Sequence, residues 1–69
     1  MSSNVYKKVE LTGSSSVSIE DAIQTAIKKC AETIYNLGWF EVTEIRGRIS
    51  GDKVNAWQVT IKVGFTVDE

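Results

Sequence analysis

Few side chains in this sequence can do chemistry, and the first constraint is an absence: it contains no histidine. That excludes a His-based triad, a His general base and the mixed Cys/His zinc sites. The serines cluster in the connection "GSSSVS" (13–18) with no evident activator. "TGSSSVS" (12–18) lacks the lysine and second glycine of a phosphate loop, and no GxGxxG is present. Glu41 and Glu44 are close enough to form a carboxylate pair, but exposed strand residues held in ion pairs are the simpler reading. Arg46 and Arg48, flanking Gly47, have the fork geometry that grips phosphate, although salt bridges are again the simpler use. No metal site and no catalytic residue are expected.

Trp39 and Gln58 remain. An indole is a broad electron-rich plane that stacks on a flat heteroaromatic. A glutamine amide carries both a donor and an acceptor, matching the alternating C=O and N–H edge of a pyrimidine-like ring. On the residues alone, a tryptophan filling a subunit interface and a glutamine in solvent are favoured over a ligand site. Tyr6 and Tyr35 read as packing residues with surface hydroxyls, and Cys30 as a small buried hydrophobe.

The elements that position these residues can be read from periodicity. Residues 4–12, "NVYKKVELT", alternate as a first strand, with Val5, Val9 and Leu11 on one face and Tyr6, Lys8, Glu10 and Thr12 on the other. Ser18 is an expected N-cap, with Glu20 and Asp21 in the first turn of the helix. From Ile19, the residues Ala22, Ile23, Ala26, Ile27, Cys30, Ile34 and Leu37 recur every three or four positions, which predicts one helix of about five turns closed by Gly38. Residues 39–50 and 54–67 are two further strands around the hairpin signal "GDK".

In the last strand Trp57, Val59, Ile61, Val63, Phe65 and Val67 are expected to face the helix, and Gln58, Thr60, Lys62, Gly64 and Thr66 the other way. Phe40 and Val42 change parity with Ile45 and Ile49, which implies a bulge or strong twist between them. Adjacent strand residues face opposite ways, so Trp39 and Phe40 are divided between two faces. Gly64 lies on the outer face, where a strand glycine marks close approach of another backbone or a ligand. The fold class is α+β, a β-α-β-β chain with a three-stranded antiparallel sheet and one helix.

At 69 residues the chain is a single domain, 1–69, whose small core only about offsets the entropy of ordering it. One cysteine rules out an intrachain disulfide, which leaves oligomerisation as the supplement. Eight basic against nine acidic residues, net charge −1, speak against a nucleic-acid partner. No apolar run approaches the roughly 18 residues of a membrane span, so a cytoplasmic protein is expected.

"VYKKVELTG" (5–13), "LGWFEVTEIRGRI" (37–49) and "WQVTIKVGF" (57–65) together resemble the dodecins, small flavin-binding proteins, and their bacterial branch in particular. The likeness runs in register over nearly the whole chain. It implies a sheet wrapped around the helix and a hollow homododecamer. It further implies paired flavins at two-fold contacts, stacked between a tryptophan from each side, with FMN, riboflavin or FAD as the ligand and storage rather than catalysis as the role. By position the tryptophan is Trp39 and the family's flavin-contacting glutamine is Gln58, while Arg46 carries over only as a supporting or phosphate contact. Many bacterial members continue "VGF" with an arginine where this chain has Thr66, which puts a coenzyme A site in doubt. On this reading Phe40 enters the core beneath the helix and Trp39 meets the flavin.

Overall fold

The computed structural model describes residues 3–67. Its elements are β1 (Tyr6–Ser15), α1 (Ile19–Cys30), β2 (Leu37–Ser50) and β3 (Lys53–Thr66), the expected β-α-β-β order. The sheet is antiparallel throughout with the order β1-β3-β2, so the last strand is central. The alternating pattern of β3 explains that position. Val59, Ile61 and Val63 are its fully buried side chains, at 0, 0 and 2 % exposure, and α1 lies over them.

Local chemistry starts the helix as predicted. Ser18 is extended and its hydroxyl accepts from the Asp21 N–H at 3.0 Å, while Glu20 and Asp21 occupy the first turn and Lys28 and Lys29 the last. Ser15 reinforces the start by accepting from Val17 N at 2.9 Å and donating to Asp21 Oδ2 at 2.7 Å. Ala22, Ala26 and Cys30, spaced by four, form the buried stripe. Their small side chains let the helix approach β1 so closely that a Cβ on Gly13 would run into the Ala22 carbonyl.

The helix is shorter than its apolar stripe predicts. It ends at Cys30 with Ala31 as C-cap, and a turn follows in which Ile34 N bonds to Cys30 O at 3.0 Å. Asn36, not Gly38, takes the left-handed conformation, at φ 65°, and its carbonyl accepts from Thr66 N, so Leu37 already belongs to β2. Ile34 and Leu37 still pack against the core. Spacing of three and four therefore marks burial here, while β-branched Thr33 and Ile34 followed by Asn36 withdraw the helical backbone.

The predicted parity change in β2 is a bulge between Val42 and Glu44, one of three register shifts in the hairpin. Thr43 is the extra residue, and its hydroxyl donates to Thr60 O at 3.2 Å. The bulge keeps Phe40, Val42 and Ile45 on the inner face opposite Val63, Ile61 and Val59. Gly51 turns the hairpin at φ 66°.

Helix α1 packs on β1 and β3, which leaves the inner face of β2 beyond Leu37 largely uncovered. Phe40 is 44 % exposed and Ile49 77 %, so Phe40 does not enter a core beneath the helix in the single chain. The reason is topological: β2 is an edge strand, one strand beyond the reach of a helix centred between β1 and β3. The chain is correspondingly elongated, 56 × 20 × 13 Å, with a radius of gyration of 14.5 Å. A compact chain of this length would have about 11 Å.

Candidate functional site

The outer face of the sheet is built from rows that cross all three strands. Lys8, Gly64 and Trp39 form one row, Glu10, Lys62 and Glu41 the next, then Thr12, Thr60 and Glu44, and finally Ser14, Gln58 and Arg46. Each row is polar except the first, where the indole lies.

Trp39 reaches from the edge strand across the central one. An ideal Cβ on Gly64 would come within 2.5 Å of three atoms of its benzo ring, Cζ2, Cε2 and Cη2. Three neighbouring ring atoms at nearly equal range place that Cβ against the face of the ring, so the indole lies flat on the bare Gly64 backbone. Tyr6 of β1 packs against it in a T-shaped pair, with centroids 5.1 Å apart and planes at 74°. The indole remains 41 % exposed. One face is held by the sheet and the other is available.

Between the first and second rows, Lys8 Nζ and Glu41 Oε2 are 2.9 Å apart. The hydrogen bond from Lys8 lowers the Glu41 carboxyl below its ordinary value, the Lys8 charge adds to this, and Lys62 contributes least. In the third row the Thr12 and Thr60 hydroxyls share a bond of 2.8 Å. In the fourth, Arg46 Nε donates to Gln58 Oε1 at 3.1 Å and Arg46 Nη1 to Glu44 Oε1 at 3.0 Å.

Arg46 and Gln58 are therefore brought together, and Trp39 is not with them. From Gly64, beneath the indole, to Gln58 is six positions along β3, about 20 Å. No single small ring spans that in one chain. Phe40 instead lines an open apolar cleft of about 190 Å³ at the β2 edge, with Ile27, Leu37, Gly38, Trp39 and Val63. Glu41 and Glu44 take the ion-pair role expected of them, with different partners. Cys30 is a buried free thiol, also as expected. Among the described residues no group of carboxylates and cysteine can hold a metal ion, and no helix is long and apolar enough to cross a membrane.

Two residues singled out by sequence reasoning have other neighbours than expected. Tyr6 is an indole contact, and what approaches Gly64 closely is the chain's own Trp39. The alternation of β1 put Tyr6 on the right face, but its place beside Trp39 follows from the register Tyr6↔Thr66 and Trp39↔Gly64, which alternation does not fix.

Fold and site define a class: a small β-α-β-β protein whose outer sheet face carries one half-exposed indole amid paired polar side chains. The family model for dodecin matches residues 5–68. A curated dodecin from Thermus thermophilus is 49 % identical over 65 residues, 94 % of either chain. Among solved structures, the tryptophan-to-phenylalanine mutant of the T. thermophilus dodecin is 46 % identical with a TM-score of 0.92, covering 97 % of this chain and 100 % of that one. The dodecin from Streptomyces davaonensis is 40 % identical with a TM-score of 0.92, covering 99 % and 100 %. The chain belongs to the dodecin family.

Proposed function

We propose that this protein is a non-enzymatic flavin store, a homododecamer that takes up FMN or riboflavin in pairs at two-fold contacts and suppresses their photochemistry. The observation that carries this reading is the indole of Trp39, fixed flat on Gly64 by one face with the other face open at the sheet surface. Such a plane is a preformed platform for a flat heteroaromatic ring. Membership of the dodecin family supports the ligand class.

The separation of Trp39 from Gln58 fits a shared site. A two-fold axis parallel to the sheet and just above its outer face sets the partner subunit's outer face against this one, so that both subunits line each site. Each ring then stacks on one subunit's indole and faces the other subunit across the axis. Arg46 holds Gln58 by its Oε1, which leaves the Nε2 amide to donate to a ring carbonyl and Arg46's remaining N–H groups for a phosphate. A flavin supplies a light-excitable ring; Trp39, in contact with it, can donate an electron to the excited ring and take it back, so the excitation ends without product. Rings covered on both faces also leave little room for a second reactant, which favours storage over turnover.

The test is FMN titration of the assembled protein followed by flavin fluorescence. The parent quenches the added flavin on binding. Trp39→Ala binds at least tenfold more weakly, from loss of about 1 kcal/mol or more of stacking per face plus burial, and the flavin still bound recovers part of its emission. A Trp39→Ala protein that assembles and quenches like the parent would refute the stacking assignment.

A further inference from the structure

We infer that Gly64 sets the thickness of the aromatic slot, and with it the number of flat rings a two-fold site admits. The ring identity rests on the flavin reading above; the seat itself rests on geometry alone. Three benzo atoms of Trp39 lie so close to the Gly64 backbone that a methyl there would fall within 2.5 Å of all of them. Carbon atoms not bonded to each other settle about 3.5–4.0 Å apart. A side chain at 64 therefore lifts the indole by more than about 1 Å or swings it off the sheet. Tyr6, its ring centroid 5.1 Å from that of the indole, limits the swing.

In a two-fold site the lift counts twice, once from each subunit. More than about 2 Å is lost from a slot in which each stacked ring occupies about 3.5 Å. Two indoles seated on glycine leave room for a pair of rings between them, and two indoles lifted by alanine leave room for one. Gly64 is thus a specificity-determining residue that touches no ligand. It acts through the height of Trp39.

The contact is made by the second ring of the indole, which phenylalanine lacks, and this permits a clean test. The parent, Gly64→Ala, Trp39→Phe and the double variant are compared for assembled size, thermal stability without ligand, and moles of FMN taken up per subunit. Gly64→Ala is expected to take up half the parent's FMN per subunit, at least tenfold more weakly, while in the Trp39→Phe background alanine at 64 shifts affinity by less than twofold and leaves stability unchanged. Parent stoichiometry and affinity in Gly64→Ala overturn the inference. So does an equal loss of stability from alanine in both backgrounds, which would assign the glycine to sheet or subunit packing. If Gly64→Ala fails to assemble, restored assembly in the double variant supports the seat and continued failure overturns it. A parent that takes up no FMN overturns the flavin reading instead, and the coupling between positions 39 and 64 in ligand-free stability still decides the seat.

Discussion

Gln58 and Glu41 show how differently two side chains on one sheet face respond to removal. Gln58 accepts from Arg46 through Oε1, so its amide is aimed rather than free to rotate. Gln58→Ala is expected to weaken FMN binding by about 1–3 kcal/mol, the range for a hydrogen bond lost from a buried partner; an unchanged titration would mean the amide serves only Arg46. Glu41 is held by Lys8 and its carboxyl is lowered. A carboxylate depressed on folding stabilises above its unfolded value, near about 4.3 for glutamate, and loses that contribution as pH falls through the lower folded value. Glu41→Gln should thus melt slightly below the parent at neutral pH, with the gap closing in acid below the ordinary carboxylate range and closing also in high salt, since the pair is exposed. A gap that persists at low pH would point to packing rather than charge. That these carboxylates would pair was legible in the sequence. Which partner each would take was not, because Lys8 and Glu41 are 33 residues apart and only the register sets them in adjacent rows of the sheet.

At the scale of elements, the mostly uncovered inner face of β2 has the largest consequence. Phe40, Val42 and Ile45 are 44, 41 and 56 % exposed in the single chain, whereas Ile61 is fully buried beneath α1. Ile61→Ala should cost about 2–5 kcal/mol and the fold with it. Phe40→Ala, already half-solvated, should cost the single chain only about 2–3 kcal/mol, scaled down from the usual core value by its exposure. Its larger effect should fall on assembly. Sizing and circular dichroism measured together separate the two: Phe40→Ala keeps its secondary structure while the oligomer loosens, and an unchanged oligomer would show that nothing docks on β2. The alternation that assigned faces to β3 holds from Gln58 to Gly64, and the parity change of β2 announced the Thr43 bulge. The end of α1 was hidden because Ile34 and Leu37 continue to bury their side chains on a backbone that is no longer helical. A position in the strand order, like the edge place of β2, leaves no mark in a local pattern.

The whole molecule is extended for its length. A chain 56 Å long and 13 Å thick, with an apolar strand face uncovered, calls for copies of itself, and light scattering on the purified protein should find a large closed oligomer and no monomer at micromolar concentration. A stable folded monomer would remove the basis for any two-fold site. The separation of Trp39 from Gln58 belongs to this scale too: both were placed on the correct face from sequence, but membership of a face says nothing about distance along it. A different consequence follows from the pairing of β1 with β3. Tyr6 lies opposite Thr66, and Val67 N bonds to Val5 O at 2.9 Å, so the two ends of the sheet-forming chain run side by side. The backbone is a ring short of one link. A linker across residues 5 and 67, with new ends opened at the exposed Gly51–Asp52 turn, would give the order β3-β1-α1-β2 without moving a strand. This architecture does not depend on where along the ring translation begins.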